Sequence, residues 1–164
     1  MILDDTYRFV TNEAGEKVEA SLDNVTLYET EMGQIWMPVT YKFKAVELTA
    51  EQVRSAFDNP IKIANGLGVD QFFFVERAIF SVIGQTIPFT EGGDFGIFFN
   101  QKEIAAAALG QPDKICNSVN VQLDSVSTDS DQIRGSKMYF SNLGSAFKGG
   151  DGKLRIEFFY RELF

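Results

Sequence analysis

The chain has 164 residues, of which 45% are hydrophobic and 23% are charged, and this is typical of one globular domain with a buried core. Its 23 acidic and 15 basic residues give a formal net charge of −8, which disfavours nucleic acid and anionic membrane surfaces as partners. The chain contains no histidine, so the Ser-His-Asp and Cys-His catalytic arrangements and the usual zinc ligand sets are excluded.

The first 46 residues have the pattern of an extended β-ribbon. Asn12 and Gly15 are turn formers between two strand-like segments, which predicts a hairpin. From Val39 to Lys44 apolar and polar side chains alternate, as in a half-buried strand. We therefore predict an N-terminal arm over residues 1–46, suited to donate a strand to a neighbouring chain, and a β domain over residues 47–164.

Two short helices are predicted within the β domain. Thr49 is a good N-cap with Gln52 in the capping-box position, and Pro60 ends that first helix. A second helix is predicted over "NQKEIAAAALGQP", with Asn100 as N-cap and Gly110 as terminator. The remaining segments are strand-like and separated by glycine turns, without a βαβ alternation. We predict an all-β fold, mainly an antiparallel sandwich or barrel that is jelly-roll-like, with one or two short helices.

Aromatic side chains are abundant, with 16 Phe, 5 Tyr and 1 Trp. A strand that is apolar on both faces must be covered on both faces, and two phenylalanine runs have this pattern. We therefore predict a homo-oligomer, such as a trimer, whose interface includes Trp36, Met37, Phe72, Phe73, Phe74, Phe98 and Phe99. Trp36 is also suited to stack on a sugar ring, and this alternative stays open.

The glycines of "TEGGDFG" predict a corner between two strands. The spacing of Gly92, Gly93 and Gly96 matches neither a P-loop nor a dinucleotide-binding fingerprint. Glycine supplies positive φ values or a bulge at low cost, and this explains the motif between two apolar runs.

The remaining candidate chemical groups have ordinary structural explanations. Asp129-Ser130-Asp131 has only the first part of a calcium-loop motif, and Asp124 and Asp151 are expected to be solvated loop acids. Cys116 has no histidine to activate it and is expected to be inert. We predict no catalytic, cofactor-binding or metal-binding residues, no cofactor, no membrane segment and no enzyme activity. A carboxylate-dependent hydrolase is the minor alternative.

About two-thirds of the chain resembles a family of β-barrel structural proteins of tailed phages. The resemblance runs from "LTAEQV" and "NPIKI" through "NGLG" and "GGDFGIFF" to "GGDGKLRIEFFY". The first 46 residues and the alanine-rich segment after residue 100 depart from the family pattern. The matching positions are Thr49, Gln52, Val53, Pro60, Ile61, Gly66, Gly68, Val75, Ala78, Gly93, Asp94, Gly150, Gly152, Leu154 and Tyr160.

This resemblance implies a non-enzymatic structural protein of the virion, assembled in the host cytoplasm. It implies a capsid decoration or cement protein that binds the head shell, with itself and the major capsid protein or another virion protein as partners. The alternative is a receptor- or glycan-binding module of a tail or fibre.

Overall fold

The computed structural model describes residues 7–11, 17–21, 25–38, 40–101, 104–105, 121–124 and 130–164. These residues form antiparallel strands and two short helices, which confirms the prediction of an all-β fold. The helices are α1 (Ala50–Ser55) and α2 (Ser130–Ile133). The strands are β1 (Tyr7–Thr11), β2 (Lys17–Ser21), β3 (Val25–Thr30), β4 (Gly33–Pro38), β5 (Lys42–Leu48), β6 (Ile61–Ala64), β7 (Phe72–Ile83), β8 (Phe89–Glu91), β9 (Phe95–Phe99), β10 (Ile104–Ala105), β11 (Val121–Asp124), β12 (Met138–Asn142), β13 (Phe147–Gly149) and β14 (Lys153–Leu163).

Two four-stranded antiparallel sheets form a sandwich. The first has the strand order β11–β7–β14–β5 and the second has the order β10–β9–β12–β6. Both sheets contribute to one apolar core, where Phe80 of the first sheet contacts Phe95 and Phe140 of the second. The centroids of Phe80 and Phe95 are 5.1 Å apart in an edge-to-face arrangement, a favoured geometry for aromatic pairs.

A β-bulge in β7 decides which of its side chains enter this core. Tyr160 of β14 pairs with Val75, whereas Phe159 pairs with Arg77, so Glu76 is the extra residue. A bulge reverses the alternation of side chains between the two faces of a strand. The core therefore receives odd-numbered residues before the bulge and even-numbered residues after it: Phe73, Val75, Ala78 and Phe80.

The β3–β4 hairpin covers the opposite face of the first sheet. Ile79 and Phe159 are fully buried there with Met37 of β4, in a cluster separate from the main core. The ring of Tyr28 lies 5.2 Å from the rings of both Phe43 and Phe159. The second apolar face of the β7–β14 pair is thus closed by the chain's own N-terminal region.

A buried carboxylate fixes the turn of this hairpin. Glu157 is 1% exposed, and its carboxylate accepts hydrogen bonds from the backbone N–H of Glu31 at 2.9 Å and from Nε of Arg155 at 3.2 Å. Hydrogen bonding to Glu157, and then to Glu47, raises the pKa of the Arg155 guanidinium. A buried charge is stable only when it is paired, so this network holds the hairpin turn in one position.

The strands show where the predicted arm and its boundary fall in the fold. The predicted hairpin around residues 12–16 is present as the β1–β2 pair. The predicted boundary at residue 46 falls inside β5, which pairs with β14 and belongs to the sandwich. The part of the predicted arm that forms β3 and β4 lies on the chain's own sheet.

The first helix prediction is confirmed, and the second is wrong where the chain is described. Thr49 and Gln52 form a reciprocal capping box at the start of α1. Asn100 and Gln101 instead have positive φ values of 48° and 70°, and Ile104 pairs with Phe99 in a hairpin. Asparagine tolerates the left-handed conformation, and this explains why a turn forms at a residue that resembles an N-cap. Residues 102–103 and 106–112 of that predicted helix lie outside the described part.

The "TEGGDFG" segment is a strand corner, as its glycines predict. It connects β8 to β9, and both Gly92 and Gly93 have positive φ values. A Cβ atom on Gly93 would lie 2.6 Å from the Cα of Gly144, so the two backbones touch. The buried amide of Asn142 donates to the carbonyl of Gly92 and closes the corner.

Alanine at Gly93 should destabilise the protein more than alanine at Gly84. Both glycines have a φ of +67°, but a Cβ on Gly84 would meet nothing within 4 Å. We expect Gly84→Ala to cost about 1–2 kcal/mol in free energy of unfolding from backbone strain alone. Gly93→Ala should cost roughly 1–3 kcal/mol more because it also overpacks the corner. Urea unfolding of both variants measures the difference, and equal losses would contradict the close backbone contact.

Asp151 should make stability depend on pH in the acidic range. Its carboxylate accepts hydrogen bonds from the hydroxyl of Thr86 and from the backbone N–H groups of Thr86 and Ile87. These bonds, that of the Thr86 side chain first, lower the pKa of Asp151 from 3.8 to about 2. A lowered pKa stabilises the fold above the unfolded-state value, and the contribution is lost as the pH falls through the folded-state value.

We therefore expect Asp151→Asn to lower the melting temperature at pH 7. The difference from wild type should shrink as the pH falls from 3.8 to about 2. Asp58→Asn, a change at an exposed position, is the matched control and should show no such trend. A difference between wild type and Asp151→Asn that stays constant across this pH range would contradict the interpretation.

Candidate functional site

A polar groove lies at the end of the second sheet where β9 finishes and β12 begins. Phe99 pairs with Met138, so the residues that follow β9 lie beside the residues that precede β12. The groove encloses about 580 Å³ and opens to solvent. Its described lining residues are Asn100, Gln101, Gln132, Arg134, Gly135, Ser136, Lys137 and Tyr139.

Two lining residues adopt a backbone conformation that is uncommon outside glycine. Asn100 and Gln101 have φ values of 48° and 70° at the end of β9. The left-handed region costs a residue such as Gln101 roughly 1–2 kcal/mol, whereas asparagine tolerates it more readily. Strained residues occur at functional sites more often than elsewhere, and Gln101 lines the groove.

Close backbone contacts fix the floor of the groove. Gly135 has a φ of +67° and its backbone N–H donates to the carbonyl of Gln71 at 2.8 Å. A Cβ atom on Gly66 would collide with the carbonyl oxygen of Gly135, so only glycine at position 66 allows this approach. The backbone N–H of Ser136 donates to the carbonyl of Ile133 at 3.0 Å. The floor is therefore built from backbone that has little freedom to move.

The guanidinium group of Arg134 is held in place by a hydrogen bond and by a contact with an aromatic ring. One guanidinium nitrogen donates a hydrogen bond to the carbonyl of Asp70. The guanidinium carbon lies 5.6 Å from the centroid of the Phe72 ring, which is cation–π geometry. These contacts restrain the side chain, so its positive charge is presented to the groove in a defined position.

The described lining of the groove carries positive charge on an acidic protein. Its described lining includes the cations Arg134 and Lys137 and contains no acidic residue, whereas the whole chain has a net charge of −8. Lys137 is exposed and makes no ion pair with any described residue. The described lining therefore offers amide groups, a hydroxyl, a phenol and two cations. This set of groups suits the non-covalent recognition of a polar, negatively charged molecule.

Four of the predicted interface residues are buried within the chain itself. Met37 lies under the β3–β4 hairpin, and Phe73 and Phe99 lie in the main core. Phe98 is 2% exposed and lies opposite Tyr139 of the groove in the register of β9 and β12. Since these side chains have almost no exposed surface, they have little to offer to a second chain.

The other predicted interface residues differ in their surroundings. Phe72 and Phe74 are partly buried, and each contacts a guanidinium group. Phe72 lies beneath Arg134, and Phe74 lies 5.1 Å from Arg161. The side chain of Trp36 lies outside the described residues.

The predicted acids fall in different parts of the chain. Asp151 is described and serves as a hydrogen-bond acceptor that fixes a turn. The side chains of Asp124, Asp129 and Asp131, and the whole of Cys116, lie outside the described residues. In the described part of the chain, no three acidic, histidine or cysteine side chains cluster closely enough to hold a metal ion. No helix among those residues is both long and apolar enough to cross a membrane.

The groove residues could not be identified from local patterns in the sequence. Asn100 resembles a helix cap in the local sequence, and Arg134 lies in a polar segment with no recognisable motif. Their proximity depends on the pairing of β9 with β12 across about forty intervening residues. The available signal was the density of amide and basic residues at two strand ends, which becomes meaningful only once the strand order is known.

Comparisons with models of protein families, with curated proteins and with solved structures found no match.

Replacing Gln101 with glycine should stabilise the fold. Glycine adopts a φ of 70° without strain, and the relief should exceed the entropy that glycine adds to the unfolded chain, for a net gain of about 0.5 kcal/mol. Gln132→Gly in α2 is the control, and it should lose roughly 0.5–1 kcal/mol because glycine weakens a helix. Urea unfolding measures both changes, and a loss of stability at position 101 would show that its backbone is unstrained.

Proposed function

We propose that this protein is a non-enzymatic structural component of a tailed-phage virion, a decoration or cement protein that binds the head shell. Its partners in this proposal are further copies of itself and the major capsid protein or another virion protein. The proposal starts from the resemblance of the residue pattern to phage β-barrel proteins. The structure adds where the residues of that pattern lie in the fold.

The observation that carries the proposal is the position of the shared glycines. Gly66 lies against Gly135, Gly93 lies against Gly144, and Gly150 lies against the ring of Phe89. At each position a Cβ atom would collide with its neighbour. These three glycines of the resembled pattern thus lie where two segments approach closely, and a resemblance at such positions supports a common scaffold.

The self-contained packing of the chain agrees with a part in a shell. The β3–β4 hairpin and the second sheet cover both faces of the β7–β14 pair, and the corners are fixed by backbone contacts and by Asp151. A rigid domain of this kind loses little conformational entropy when it binds a lattice of subunits. A rigid domain also suits other binding roles. The experiment that tests the proposal therefore has to determine where in the particle the protein lies.

Localisation in purified particles tests this proposal. Particles of the phage or prophage that encodes the chain are purified on a density gradient, and the protein is measured by quantitative mass spectrometry. Gold-labelled antibodies against the purified chain then show its position by electron microscopy. We expect many copies per particle with the label on the head, and particles without this protein would contradict the proposal.

The polar groove favours a second candidate function. A receptor- or glycan-binding module of a tail or fibre needs a restrained polar site, and the groove around Arg134 and Lys137 fits that need. The same labelling experiment separates the two candidates. Label confined to the tail tip or to fibres would support the binding module and contradict the decoration protein.

A further inference from the structure

We propose that the groove lined by Asn100, Gln101, Gln132, Arg134, Lys137 and Tyr139 binds an acidic oligosaccharide whose sugar rings carry carboxylates. This inference goes beyond the proposed function, because it concerns the chemistry of the site and holds whether the protein lies on a head or on a tail.

The charge of the lining determines the charge of the ligand. Arg134 and Lys137 are its charged residues among those described, and both are cations. Arg134 is positioned by Asp70 and Phe72, while the ammonium group of Lys137 is exposed. Guanidinium and ammonium groups form strong charge-assisted hydrogen bonds with carboxylates. On a protein with a net charge of −8, two cations in one groove with no described acid among them favour an anionic ligand at this site.

The neutral residues of the lining indicate that the ligand carries hydroxyl groups. Asn100, Gln101 and Gln132 each present an amide, which offers both donors and an acceptor. A sugar hydroxyl can also donate or accept a hydrogen bond. It can therefore donate to the amide oxygen or accept from the amide nitrogen. Tyr139 adds a phenol and an aromatic ring, which can lie against the apolar face of a sugar.

The size and polarity of the groove agree with this class of ligand. A volume of about 580 Å³ lies within the range of roughly 300–1,000 Å³ that is usual for small-molecule sites. Such sites are mainly apolar, whereas the described lining here is mainly polar. An open, polar groove suits a hydrated ligand that forms many hydrogen bonds, and its described lining offers no apolar pocket of the kind that anchors most peptides.

The backbone of the groove is arranged before any ligand binds. Asn100 and Gln101 are held in the left-handed region, and Gly66 packs against Gly135 of the lining. A restrained site loses less entropy on binding than a flexible one. The strain at Gln101 is accounted for if the fold keeps this residue in place to position its side chain.

Calorimetric titration of the full-length protein tests the inference. The probes are a tetrasaccharide of glucuronic acid, cellotetraose as its neutral counterpart, and a peptide of four glutamates. We expect saturable binding of the acidic tetrasaccharide, weaker binding at higher salt, and at least tenfold weaker binding of the other two probes.

Lys137→Gln should weaken binding of the acidic tetrasaccharide about tenfold, the effect expected from one lost charge-assisted hydrogen bond. Lys153→Gln is the matched control, since Lys153 is also exposed but lies at the opposite end of the sandwich beside Ile83. Both variants should melt like wild type because both side chains are exposed.

Three outcomes would overturn the inference. The first is no saturable binding of the acidic tetrasaccharide, and the second is equal weakening by Lys137→Gln and Lys153→Gln. The third is tighter binding of the tetraglutamate peptide or of cellotetraose, which would assign the groove to an acidic peptide or to a neutral glycan. None of these results bears on where the protein lies in a particle, so the proposed function is judged separately.

Discussion

The antiparallel pairing of β7 with β14 is the interaction on which the rest of the structure depends. It is the longest ladder described, running from Lys153 opposite Ile83 to Leu163 opposite Phe72. Both strands carry apolar side chains on both faces, so neither face can be left in water without a large loss of hydrophobic stabilisation. The second sheet covers one face, and the β3–β4 hairpin covers the other.

Because both faces of this strand pair are covered, the loops that could carry a binding site lie at the two ends of the sandwich. One end contains α1 and the corners at Gly93 and Gly150, and there Ser141 donates a hydrogen bond to the carbonyl of Ala56. The other end contains the groove. Loops on a rigid scaffold commonly carry function, because their residues can change without disturbing the core. The location of the groove follows that principle.

The local features of the fold could be predicted from the sequence because they depend on neighbouring residues. The capping box of Thr49 and Gln52 lies within one helical turn, and the corner at Gly93 lies between two obvious strands. The fold class followed from the density of short strands and glycine turns. Asn100 shows the limit of such inference, since the same side chain suits both a helix cap and a left-handed turn.

The non-local features could not be predicted from the sequence. The bulge at Glu76 reverses the alternation of β7, so no single period describes which of its residues enter the core. The covering of Phe159 by Tyr28 joins residues more than a hundred positions apart, so no local pattern in the sequence indicates it. The groove depends in the same way on strand order.

The most direct test is to remove the hairpin that covers the first sheet. A variant without residues 1–38 is compared with one without residues 1–24, which keeps β3 and β4, by urea unfolding and by binding of a hydrophobic dye. We expect the shorter deletion to unfold much like the full chain. The longer deletion should bind the dye and unfold at lower urea, because Ile79 and Phe159 become exposed. Equal unfolding midpoints and no dye binding would contradict the claim that the chain closes both faces of its central strand pair.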